Sequence, residues 1–160
     1  MTRRTVPLLW LWLGAAILFV TAVAPAAFAV LPTRAMAGLV VGRILPVLFW
    51  SGAIVGILVF ATTAGWRRIA AALLVLSSLG AQLGVAPRIE RIRAALGPSI
   101  EDVPAEDVRR IEFGRLHGLS VMLLGVGMLG AASVAVGGML RPSVSLRSAS
   151  GAPLTFPSSQ

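Results

Sequence analysis

The chain offers reactive side chains at very few positions. Its single histidine, His117, stands in "EFGRLHGLSVMLLG", where a charged stretch gives way to an apolar one. Phe113, His117, Ser120 and Leu124 are spaced by four, three and four residues, which places them on one stripe of a helix. Arg43 and Gln82 are the other polar side chains set in long apolar runs, and Arg115 lies just ahead of the histidine. Polar groups at membrane depth face the interior of a bundle or a water-filled cavity and mark functional positions by default. One reading is therefore a polar vestibule of Arg43, Gln82, Arg115, His117 and Ser120. In it Arg43 attracts an anion or a headgroup and His117 exchanges a proton or a hydrogen bond. The other reading is structural: Arg43 snorkels to the interface and His117 makes one interhelical hydrogen bond, worth about 0.6 kcal/mol.

Other chemistry is poorly served. Without cysteine there is no disulfide, thiolate ligand or thiol nucleophile, and lysine and tyrosine are missing too. One histidine, with no carboxylate inside an apolar run, falls short of the three or four ligands of a metal site, so neither a metal nor another cofactor is expected. A single-histidine haem, or copper assisted by Met122, Met128 or Met139, is a third and weaker reading; those methionines serve first as packing residues. No nucleophile, base and orienting group share a pattern, and no phosphate loop follows a strand. An enzyme is not expected.

The elements that must position these residues are membrane helices. Of 160 residues, 57% are apolar and 12% charged, about half the charged share of an average soluble chain. Every basic residue is arginine, and the gaps between arginines delimit four uncharged runs: Thr5 to Thr33, Ile44 to Trp66, Ile69 to Pro87 and Leu116 to Leu140. Each reaches the roughly 18 residues that suggest a spanning helix. The net charge of +8 sits at the ends of these runs, as membrane anchors do, and points away from nucleic acid.

The boundaries predict helices over about 7–30, 35–63, 69–96 and 104–140, forming one membrane domain over 1–140, followed by a disordered tail over 141–160 rich in Ser, Pro and Gly. Pro7 suits a first turn, Pro25 a kink, and Pro104 a first helical position that starts helix 4 outside the lipid. "AFA" at 27–29 resembles a signal-peptidase site, but the apolar stretch before it exceeds a signal peptide's centre, so helix 1 is expected to be retained. Helices 3 and 4 extend beyond the bilayer. All six acids lie between Arg88 and Arg115 among six arginines, and "RIERIR" is expected to face "EDVPAED" as a small charged hairpin.

Four Gly-x-x-x-Gly spacings occur, at Gly38/Gly42, Gly52/Gly56, Gly80/Gly84 and Gly114/Gly118. Each places two glycines on one helix face, where close backbone approach supplies packing energy that lipid does not. Antiparallel order brings Pro25, Arg43, Gln82 and His117 to the same leaflet. Arg3 and Arg4 outweigh Arg34 in flanking helix 1, which predicts both termini on the cytoplasmic side, in the plasma (inner) membrane of a bacterium.

The order of motifs resembles the transmembrane-protein-205-like family of small four-helix membrane proteins. "AGLVVGRILPVLFW" in helix 2, "APRIERIRAAL" after helix 3 and "FGRLHGLSVMLLG" in helix 4 carry the likeness, through Phe113, Arg115, His117, Gly118 and Ser120. It implies a membrane location and four helices, with no reaction or ligand. The chain is thus read as all-α, an antiparallel up-down four-helix membrane bundle. A structural or accessory role comes first and a small carrier using the Arg43, Gln82 and His117 vestibule second. Its expected partners are the lipid bilayer and, beyond it, a membrane protein or a second copy of the chain.

Overall fold

The computed structural model describes residues 5–96 and 103–139, and all their regular structure is helical. The helices are α1 (Thr5–Val30), α2 (Arg34–Thr62), α3 (Trp66–Leu96) and α4 (Val108–Met139). All four are long and apolar enough to cross a membrane, and the protein is an integral membrane four-helix bundle. Leu140 and the predicted tail over 141–160 lie outside the described residues.

Prolines shape the interior of the helices. Pro25 has no N–H, and its ring presses on the carbonyl of Thr21, four residues back. Ahead of it α1 opens into a π turn at Phe19–Val23, with the N–H of Ala24 reaching the carbonyl of Phe19. Pro87 has the same effect in α3, where Gly80–Val85 form a π turn and Ala86 donates to Ala81. Pro46 lies in unbroken α-helix. The carbonyl it crowds belongs to Gly42, a residue without a side chain to add to the crowding.

The connections are fixed by local chemistry. Thr33 caps α2, its hydroxyl accepting from the N–H of Met36 at 3.2 Å. Before α3 the chain reverses at Gly65, whose φ of +62° favours glycine, and Gly65 accepts from the N–H of Arg68 at 3.0 Å. Helix 4 begins at Val108, four residues later than Pro104 suggested. Asp107 takes the cap, its carboxylate accepting from the N–H of Arg109 at 2.8 Å and from that residue's guanidinium at 2.9 Å. These bonds, the guanidinium's first, hold the carboxyl below its ordinary range. An aspartate cap satisfies an orphan N–H of the first turn, which a proline at the first helical position does not. Pro104 instead closes a preceding turn, accepting from Asp107 at 3.1 Å.

In the middle of the bundle the helices meet through glycine. A Cβ on Gly52 would lie 2.9 Å from the Trp12 ring and from the Ser78 hydroxyl, and one on Gly56 would lie 2.7 Å from Val75. Trp12 thereby reaches across α2, and its indole N–H donates to the carbonyl of Leu48 at 2.9 Å. On the other flank, Gly127 meets Ser77 and Leu74, and Gly130 meets the backbone carbonyl of Ala70. Leu9, Trp12, Ala16, Phe49, Leu74 and Val134 centre the core that results. A further contact at the α3–α4 end sets Trp66 against Gly137, whose carbonyl accepts from Arg67. Leu11, Val47, Leu76 and Leu129 point outward, more than two-thirds exposed in the protein alone, as lipid-facing residues must.

The far end of α3 packs on α4 through a small apolar cluster of Val85, Ile92 and Leu116, with Ile89, Leu96 and Phe113 against it. This differs from the expected charged hairpin. Among the described residues the ion pairs are local, Glu90 with Arg93 within α3 and Asp107 with Arg109 beside it. Partners two or three residues away cost less ordering than a pair across helices, and exposed pairs are worth only about 0–1 kcal/mol. Glu101 and Asp102 lie outside the described residues.

Candidate functional site

At the end of the bundle where α1 and α3 finish and α2 and α4 begin, a cavity of about 700 Å³ lies among the helices. Its walls come from the first half of α2, the second half of α3, the start of α4 and Phe28 of α1. The reason for the gap is local. Gly52 and Gly56 hold α2 and α3 together at mid-depth, while towards this end the two helices are bridged by the side chain of Arg93.

Arg93 is the centre of the site. Its guanidinium donates to the carbonyl of Gly38 at 3.2 Å, lies 3.7 Å from a carboxylate oxygen of Glu90 and stands 5.6 Å from the centroid of the Phe113 ring. A Cβ on Gly42 would lie 3.1 Å from one guanidinium nitrogen, and one on Gly38 would lie 3.3 Å from the other. The pair Gly38/Gly42 therefore seats a cation rather than a neighbouring helix backbone. Side chains lean towards the N-terminus of their helix, and Arg93 reaches that way, into the bundle.

His117 stacks on Phe113, the ring centroids 6.3 Å apart and the planes 5° from parallel. Its ring makes no hydrogen bond to another helix among the described residues, which removes the interhelical bond of the structural reading. The Ser120 hydroxyl donates to the carbonyl of His117 at 2.9 Å and is thus committed to its own helix.

Of the residues expected in a vestibule, Gln82, His117 and Ser120 line this cavity together. Arg43 and Arg115 do not; both are exposed and lie outside its walls. Helical phase explains both corrections. A step of one residue turns the chain by about 100°, so Arg43 points away from the face of Gly42, and Arg115 is two steps from both Phe113 and His117. Arg93, Glu90 and Arg34 stand in the walls instead. A signal for Arg93 was present: Gln82, Ala86, Ile89 and Arg93 follow one another at helical spacing on the face that Gln82 begins.

The remaining glycines divide. Gly80 only grazes Leu123 at 4.0 Å, and nothing lies within 4 Å of the Cβ positions of Gly84, Gly114 or Gly118. Gly127, Gly130 and Gly137 make close approaches without forming any such pair, and sequence spacing missed them.

Chemically the cavity is an apolar chamber with two guanidinium groups, one carboxylate, one imidazole and one carboxamide. Among the described residues no group of three or more His, Cys, Asp or Glu stands together to hold a metal ion. The arrangement can bind an anion through Arg93 and offer further hydrogen bonds beside it. A family model, that of a domain of unknown function (DUF4149), matches residues 8–97, more than half of the chain. It takes in Gly38, Gly42, Gln82 and Arg93, while Phe113, His117 and Ser120 lie beyond it. No curated protein and no solved structure matches the chain.

Proposed function

Since the chain belongs to the DUF4149 family, a domain of unknown function, we propose a role for it from its own geometry: an accessory membrane protein that holds a ligand in the vestibule around Arg93. One observation carries the reading. The cavity is confined to one end of the bundle, and its walls stop at Phe49 in α2 and at Ala81 in α3. Beyond them the packed layer of Trp12, Gly52, Ser78 and Gly127 closes the bundle. A chamber that ends at a packed layer, without crossing the bundle, suits binding better than permeation.

The likeness of "FGRLHGLSVMLLG" to the transmembrane-protein-205-like family belongs to this proposal, as does retention of α1, whose Trp12 is built into the core. So does the orientation, with both termini cytoplasmic in a bacterial plasma membrane. The vestibule, at the end opposite the start of α1, then opens towards the outer leaflet. Purified protein in liposomes is expected to add no flux of chloride, phosphate or protons above protein-free vesicles. Saturable flux removed by Arg93→Gln would overturn the accessory role in favour of a carrier.

A further inference from the structure

We infer that the vestibule takes a single-chain amphiphile with an acidic head, a carboxylate or a phosphate monoester, admitted sideways from the surrounding leaflet. This rests on the reading of the vestibule as a ligand site.

The first observation is the layering of the walls. Arg34 stands at the start of α2, the Arg93 guanidinium at the level of Gly38 and Gly42, and Leu45, Phe49 and Ala81 lie deeper. From the level of Gly38, where the guanidinium is held, the walls run to Phe49, about 16 Å at a rise of 1.5 Å per residue. One leaflet of hydrocarbon is about 15 Å deep. A charged head on Arg93 thus leaves its chain beside Leu45 and Phe49, over about the depth of a leaflet. The volume of about 700 Å³ falls within the roughly 300–1,000 Å³ of small-molecule sites.

The second observation is the state of the Arg93 guanidinium. One hydrogen bond, to Gly38, holds it in place, and its Glu90 neighbour at 3.7 Å is beyond hydrogen-bond range and 68% exposed. A planar fork of five donors seated in this way presents its remaining N–H groups to an acid in pairs, the geometry that a carboxylate or phosphate accepts. Two arginines against one glutamate make the walls net positive among the described residues, which suits an acidic head and disfavours a cationic one.

The third is access. Leu39 lines the cavity and is also 53% exposed. A wall residue this apolar and this accessible offers an acyl chain a way in beside α2 that does not leave the hydrocarbon. The His117 ring and the Gln82 carboxamide stand within the same walls, where they offer further hydrogen bonds.

The test uses the full chain in phosphatidylcholine nanodiscs, with oleate, dodecyl phosphate, oleyl alcohol and inorganic phosphate as probes and bound adducts counted by native mass spectrometry during titration. The expected result is one oleate or dodecyl phosphate per chain, with oleyl alcohol much weaker. Affinity should fall roughly tenfold or more in Arg93→Gln, as the loss of a charge-assisted hydrogen bond implies, and stay unchanged in Arg43→Gln. Gly42→Leu, which fills the seat of the guanidinium and leaves its charge, should weaken binding as well. Oleyl alcohol binding as well as oleate, with Arg93→Gln without effect, would overturn the acidic head. Inorganic phosphate binding saturably and as tightly as dodecyl phosphate would overturn the chain. If no probe binds, the inference falls; the ligand-site reading falls with it only if Gln82→Cys in the same discs resists a water-soluble thiol reagent, which would mean a closed vestibule.

Discussion

Two arginines illustrate how much a single helical step decides. Arg43 and Gly42 are neighbours in sequence, yet Gly42 faces the cavity and Arg43 faces away, so the cation that serves the site is Arg93, from another helix. Part of the cavity lining was legible in the sequence: Gln82 by its polarity inside an apolar run, His117 and Ser120 by their shared stripe on one helix. The choice of arginine was not, because a charge next to the end of an apolar run reads equally as a snorkelling anchor. Glycine shows the same limit. A pair spaced by four states only that two small residues share a face, and what occupies that face is decided by the partner: Trp12 and Ser78 at Gly52, a guanidinium at Gly42, nothing at Gly118. The contrast predicts stability. In Gly130→Ala the new Cβ would come within 2.7 Å of the backbone carbonyl of Ala70, which cannot swing aside, and unfolding in mixed SDS micelles should show a loss of about 1–3 kcal/mol, as for overpacking elsewhere. Gly118→Ala, with open space around it, should be neutral or stabilising by up to about 1 kcal/mol through helix propensity. Equal effects of the two would mean that α3 and α4 do not approach at Gly130.

At the scale of the element, the four helices were readable because uncharged runs of this length have few alternatives in lipid, where every backbone group must be satisfied within the segment. Their ends were less readable. The start of α4 depended on whether Pro104 or Asp107 took the first turn, and a side-chain acceptor at the cap prevailed. The π turns were only half visible: Pro25 announced irregularity while Pro87 passed unremarked, and a proline in a helix can kink, break or widen the turn before it. In α3 the widened turn lies at Gly80–Val85 and contains Gln82, so it sets the face on which Gln82 and Arg93 meet the cavity. A π turn holds one residue more than an α turn. Deleting Gly84, around whose Cβ position nothing lies within 4 Å, should therefore restore regular α-helix and leave the protein folded. Deleting Leu73, an exposed residue in the regular part of the same helix, should unfold it, since the remainder of α3 would turn by about 100°. Thermal melting in detergent distinguishes the two. Similar melting of both deletions would show that the π turn carries no slack.

The whole molecule divides into a closed half and an open half. Glycines and small side chains draw α1, α2, α3 and α4 together around Trp12 and Leu74, and the cavity begins where those close contacts stop. The composition foretold a bundle, but not that one end of it would stand open, since that follows from where small residues on three helices fall at the same depth. The open end gathers Arg34, Glu90, Arg93 and His117 around an otherwise apolar space, and the account of function depends on that space being reachable by water and positive in potential. The chain has no cysteine of its own, so one introduced thiol reports on one place. The decisive measurement is the reaction of Gln82→Cys with anionic and cationic methanethiosulfonates in right-side-out membrane vesicles, referred to Ala105→Cys in the exposed loop at the same end. The expected result is labelling from outside, several-fold faster with the anionic reagent relative to the reference, a preference that Arg93→Gln removes and Arg43→Gln leaves. A thiol at Gln82 that does not react, or a preference that follows Arg43 instead of Arg93, would contradict it.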